Sequence, residues 1–147
     1  MMEKFILKKP PKSTGRDEFG KELVMKVGKR FSDLSAEDLI RTFSFFTAKS
    51  IAININKFLN INPKECRMIV SGGGVNHEVV MSDISLCTKI MDIKKSDEYD
   101  INSNMKETLL MAVLGLAKML NLSANMPSVT GAKREIILGE SVKFNKS

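Results

Sequence analysis

The chain has 147 residues, 43% of them hydrophobic and 27% charged, with four prolines, the make-up of an ordinary folded domain. That length sustains one core and falls short of a two-lobed enzyme with a cleft between its halves, so a single domain over 1–147 is expected. The net charge is +6, but residues 1–30 hold nine Lys or Arg against four acids, a local +5, and five of the 23 cations are Arg. A terminal, lysine-based excess with few aromatics suits nucleic acid poorly, and no nucleic-acid partner is expected.

In chain order, Lys8–Arg16 carries Pro10, Pro11 and Gly15 and predicts an entry loop closing an N-terminal segment over 1–16. Asp17–Phe31 places Phe19, Leu23, Val24 and Val27 at helical spacing and predicts one helix, weakened by Gly20 and Gly28. Ser35-Ala36-Glu37-Asp38 matches a capping box, flanked by Leu34 and Leu39 as a hydrophobic staple, so a helix starts at Ser35. Apolar residues then recur from Leu39 to Leu59 in a stripe so wide that most of this central helix must be covered.

Arg67–Ser71 reads as a short buried strand that stops at Gly72-Gly73-Gly74. Val75, Val79, Val80, Ile84 and Leu86 continue it as a helix. Lys89–Lys94 reads as a second strand, and Met105, Leu109, Val113, Leu116 and Leu120 as one face of a helix after Asn102–Asn104. Asn125–Gly131 is expected as a loop and Glu135–Leu138 as a terminal strand. Strands alternating with helices predict an α/β fold, helix-rich with a small sheet.

No apolar run approaches the roughly 20 residues of a membrane span, and Met1–Lys9 lacks the apolar region of about 7 to 15 residues of a secretory signal. A cytoplasmic chain without a membrane partner is expected. Cys66, Cys87 and His77 form no metal-ligand spacing, which predicts reduced thiols and no metal site.

The triple glycine is the most informative local feature. Glycines between a strand and a helix permit positive φ and let a ligand approach where a Cβ would stand, as a nucleotide requires. A tight turn accounts for the same three residues, and the sequence alone leaves both readings open. Lys12-Ser13-Thr14-Gly15-Arg16 offers cations and hydroxyls for an anion, or simply a solvated linker. Glu107 stands three residues after Asn104, the spacing of a capping box, so its first role is to cap. His77, just after the glycines, is within reach of a ligand, although a lone histidine at a helix start is usually not chemical. No nucleophile, base and orienting group can be assembled, so no catalytic residue is assigned.

Three segments together resemble a known family. Pro10-Pro11-Lys12-Ser13-Thr14-Gly15-Arg16, Ile69-Val70-Ser71-Gly72-Gly73-Gly74 and Asn125-Met126-Pro127-Ser128-Val129-Thr130-Gly131-Ala132 are similar, in that order, to the C-terminal half of the anhydro-N-acetylmuramic acid kinases. Thr47–Ala52, Asp97-Glu98-Tyr99, Ile101-Asn102 and Lys106-Glu107 extend the similarity over nearly the whole chain. The resemblance implies one ribonuclease-H-like lobe of the actin, hexokinase and heat-shock ATPase superfamily. It further implies a part in the ATP- and magnesium-dependent phosphorylation, with ring opening, of 1,6-anhydro-N-acetylmuramic acid in peptidoglycan recycling.

Carried over from that resemblance, Gly72, Gly73 and Gly74 are nucleotide contacts and Glu107 faces the sugar. The family's phosphate-binding segment, of the type Gly-x-Met-Ser-Gly-Thr-Ser-x-Asp-Gly, does not occur in the sequence, and neither does the expected catalytic aspartate. The magnesium site is expected with them. The chain is therefore expected to be inactive by itself and to pair with the missing lobe or with itself; the alternative is a noncatalytic nucleotide-binding or interaction module. Local departures are His77, Asp100 and Asp17, where the family prefers Asn, Gly and Glu. A turn that prefers glycine implies positive φ at Asp100.

Overall fold

The computed structural model describes residues 2–142. Its helices are α1 (Met2–Leu7), α2 (Arg16–Phe19), α3 (Lys21–Arg30), α4 (Ala36–Phe58), α5 (Glu78–Thr88), α6 (Lys106–Met119) and α7 (Pro127–Thr130). Strands β1 (Arg67–Val70) and β2 (Asp92–Lys95) pair in parallel, with Arg67 opposite Asp92 and Val70 opposite Lys95. The predicted α/β class, helix-rich with a small sheet, is the class observed. Among the described residues no helix is long and apolar enough to cross a membrane.

The central helix begins where the sequence places it. Ser35 Oγ accepts the Asp38 N–H at 3.0 Å and donates to Asp38 Oδ2 at 2.9 Å, satisfying an amide that the helix itself leaves unpaired. α4 packs along α5, and its buried residues are the small Ala48 and Ala52. Arg41 clamps the pair with a two-pronged bridge to Asp83, 2.6 and 3.0 Å long, whose carboxylate is buried. Ile84, Ile90 and Val75 complete the core on the α5 side, and Ile6 of α1 covers α4.

Three expectations are corrected. The helix expected over Asp17–Phe31 is two helices broken at Gly20, where a Cβ would collide with the Arg16 carbonyl oxygen. Met2–Leu7, for which the sequence pattern predicts no element, form α1, and its C-terminal carbonyls at Phe5 and Ile6 accept from Lys12 Nζ at 3.4 and 2.8 Å. Glu135–Leu138 is not a strand: Ile136 O accepts from Ala124 N, but Ile136 N donates to the Asn125 side chain at 2.7 Å, so a side chain replaces the carbonyl that a ladder needs. The expected loop Asn125–Gly131 contains α7, one helical turn with Pro127 in its first turn, the position that best tolerates a missing N–H.

Candidate functional site

Parallel pairing in register brings the carboxyl ends of β1 and β2 side by side, the edge at which open α/β sheets hold ligands. From β1 the chain passes through Ser71 into Gly72, at φ +97°, and then a 3-10 turn over Gly73–Asn76. From β2 it passes into a second 3-10 turn over Ser96–Tyr99. The two exits are laced together. Ser96 Oγ donates to Ser71 Oγ at 3.1 Å, Gly72 N donates to Ser103 O at 3.2 Å, and Ser103 N donates to Asp97 Oδ1 at 3.2 Å. Hydrogen bonds from Ser103 hold the Asp97 carboxyl below its ordinary range.

The three glycines differ in what requires them. Gly72 has a φ that few other residues adopt, so its identity follows from the backbone. Gly73 and Gly74 have no such φ, and a Cβ at either would meet nothing within 4 Å. Neither the turn nor packing demands glycine there, and their amides have no hydrogen-bond partner among the described residues. A tight turn thus explains one glycine of three.

His77 is the N-cap of α5. Its Nδ1 accepts the Val80 N–H at 3.3 Å, the task an Asn side chain performs at such a position. Asp100 sits at φ +60° and ψ +18°, so the positive φ expected there is observed.

Glu107 is exposed in the first turn of α6, and the cap expected from it is not formed. A 3-10 turn over Ser103–Met105 delays the first α-helical residue to Lys106, and Asn102 Oδ1 takes the Asn104 N–H at 2.9 Å instead. The Gly72 to Ser103 hydrogen bond ties the entry to α6 directly to the glycine turn. Glu107 is therefore free of structural duty, close in sequence to that tie.

The basic entry loop is engaged internally. Lys12 caps α1 and lies 4.6 Å from the centre of the Phe58 ring, while Thr14 Oγ1 donates to Glu18 at 2.8 Å. This loop borders a cleft of about 550 Å³ walled by Phe5, Phe19, Phe46 and Ile51. The loop also approaches the Asn125–Ala132 segment, since a Cβ at Gly131 would lie 3.8 Å from Pro11 Cγ. Two of the three resemblance segments meet there, and the glycine turn lies at the sheet end. Nothing in the sequence pattern pointed to the Ser71–Ser96 and Gly72–Ser103 links, because they join residues 25 and 31 positions apart.

Among the described residues no group of three or more His, Cys, Asp or Glu could hold a metal.

Residues 1–143 match the family model described as Anhydro-N-acetylmuramic acid kinase. The chain is 35% identical over 133 residues to the anhydro-N-acetylmuramic acid kinase of Cyanothece sp., covering 89% of this chain and 34% of that protein. To the protein of that name from Clostridioides difficile it is 32% identical over 139 residues, covering 95% and 36%. To that from Actinobacillus pleuropneumoniae it is 35% identical over 137 residues, covering 93% and 37%. The chain spans about a third of the length of the curated relatives it matches. Matched along nearly its whole length, it belongs to the anhydro-N-acetylmuramic acid kinase family.

Proposed function

We propose that the chain is the C-terminal, nucleotide-side lobe of a cytoplasmic kinase, ribonuclease-H-like in fold, for 1,6-anhydro-N-acetylmuramic acid. In the complete assembly ATP supplies the phosphoryl group for O6 as water opens the anhydro ring. The observation that carries this reading is that Gly73 and Gly74 lack any reason in the chain's own geometry. A ligand lying against the backbone explains them, and a nucleotide at the carboxyl ends of parallel strands fits both the position and the family.

In this reading Gly72–Gly74 present bare backbone to the nucleotide, with the Gly73 and Gly74 amides able to donate to it. The lacing through Ser71, Ser96 and Ser103 fixes the turn's position, so that binding orders little further. Glu107, exposed and unpaired with any cap, faces the sugar. Phosphoryl transfer depends on positioning and charge stabilisation from both sides of a cleft. One lobe lacking the phosphate-binding segment is therefore expected to turn over no sugar.

The test is a kinase assay with ATP, magnesium and 1,6-anhydro-N-acetylmuramic acid, on the chain alone and with the rest of the family's polypeptide added in trans. No turnover alone and turnover in the mixture is expected. Turnover by the chain alone contradicts the lobe reading, and inactivity of a formed complex favours a noncatalytic nucleotide-binding module.

A further inference from the structure

We infer that Lys95 is a further binding residue at the glycine turn, its ammonium taking a phosphate of the nucleotide held there. The inference rests on the nucleotide reading of Gly72–Gly74 and names the group that selects a charged ligand over an uncharged one.

The register of the sheet places the residue. Lys95 ends β2 and stands opposite Val70, which ends β1. Paired residues in a sheet share a face, and Val70 and Ile93 line a cavity with Met81 and Ser85 of α5 that Lys95 lines as well. A lysine on such a face lays its stem along the apolar surface and carries its charge to the nearest water. Here the way out is the carboxyl end of the sheet. Lys95 is exposed, and its Nζ donates to Asn76 Oδ1 at 3.5 Å. Asn76 is the last residue of the 3-10 turn that Gly73 opens.

The acids around Lys95 are committed elsewhere. Asp92 takes Arg67 at 2.7 Å, and Glu98 takes Lys94 Nζ and the Lys95 amide, each at 3.0 Å. Asp97 accepts from the Ser103 N–H at 3.2 Å. Glu78 borders the same cavity and makes no ion pair with Lys95. Among the described residues Lys95 therefore has no carboxylate partner, and its one polar contact, to an amide oxygen, is long for a hydrogen bond. An anion would replace that contact with a stronger one.

The cation and the bare amides belong to one place. Asn76 closes the turn whose first amides, at Gly73 and Gly74, have no partner among the described residues. Unpaired N–H donors beside an uncompensated ammonium form a site of donors only, and such a site selects an anion. The anionic part of a nucleotide is its phosphate. Lys94, one residue away, carries the same charge with Glu98 already paired to it, and so separates a specific contact from general attraction to a basic chain.

The experiment titrates the chain with ATP and with adenosine, following amide shifts at residues 72–77 in the wild type, Lys95→Met, Lys95→Arg and Lys94→Met, each checked for folding by circular dichroism. One charge in contact with a phosphate is worth about fivefold in affinity even at the dielectric of water. Lys95→Met should therefore weaken ATP at least about fivefold and leave adenosine unchanged, while Lys95→Arg and Lys94→Met stay within about twofold of the wild type. Should Lys95→Met not fold, Lys95→Gln carries the same comparison. Wild-type shifts at the turn with ATP affinity unchanged in folded Lys95→Met overturn the role of Lys95 and leave the nucleotide reading standing. An equal fall for ATP and adenosine overturns the phosphate assignment, and an equal effect of Lys94→Met reduces it to general charge. No shifts at the turn in the wild type overturn both readings.

Discussion

Ser96 Oγ donates to Ser71 Oγ across 3.1 Å and thereby joins the first residue after β2 to the first residue after β1. Ser96 is 4% exposed, so its hydroxyl has little access to water as an alternative partner. Replacing it strands the Ser71 hydroxyl at the base of the glycine turn. Ser96→Ala is expected to cost about 1–2 kcal/mol of stability, read by urea unfolding. It should also loosen the Gly72–Asn76 amides in hydrogen exchange. A cost indistinguishable from zero would show that the link does not hold the two strand exits together.

Asp100 occupies the left-handed region, where most side chains are strained. Asp is among the residues that tolerate it best, so the gain on relief is small. Asp100→Gly is expected to be neutral or to stabilise by up to about 0.5 kcal/mol, whereas Asp100→Val should destabilise by about 1–2 kcal/mol. The order of the three unfolding midpoints is the check. A valine variant as stable as the glycine variant would contradict the assigned backbone.

These cases show what the sequence made legible. The central helix was readable because its cap is local: Ser35 and Asp38 lie three residues apart. The strand, glycine turn and helix over residues 67–88 were readable for the same reason. Asp100's positive φ followed from comparing it with a position that prefers glycine. What could not be read depends on contacts between distant residues. The Gly20 break brings that backbone so close to the Arg16 carbonyl that a Cβ has no room, an approach that the sequence pattern does not display. The lost terminal strand depends on Asn125 reaching Ile136, 11 residues away. At the site, the sequence singled out the glycines and Glu107, but not the Ser71, Ser96 and Ser103 lacing, since serines carry no pattern that distinguishes a lock from a solvated hydroxyl.

Acid should loosen the β2 exit. Asp97 is held below its ordinary value by Ser103, and Glu98 below its ordinary value by Lys94 and the Lys95 amide. A carboxyl depressed in the folded state contributes stability above its unfolded pKa and loses it as pH falls through the folded value. The loss therefore begins below the ordinary values, 4.5 for Glu and 3.8 for Asp, and deepens on further acidification. Urea midpoints taken downward from about pH 6 should fall in this window. Asp97→Asn, which keeps an oxygen for the Ser103 N–H, should flatten the fall. An unchanged slope in that variant would remove Asp97 from the account.

The claim that the glycine turn receives a nucleotide is tested most directly by amide chemical shifts of the chain during ATP titration, compared between the wild type and Gly73→Val. A Cβ at Gly73 meets nothing within 4 Å, so the variant is expected to fold, with the valine occupying only the space that the ligand needs. With half of a cleft present, wild-type affinity should lie in the high micromolar to millimolar range, about 4 to 6 kcal/mol. Shifts concentrated at residues 72–77 in the wild type and lost in folded Gly73→Val are the predicted result. The same shifts in both proteins, or none at the turn at saturating ATP, would contradict the account.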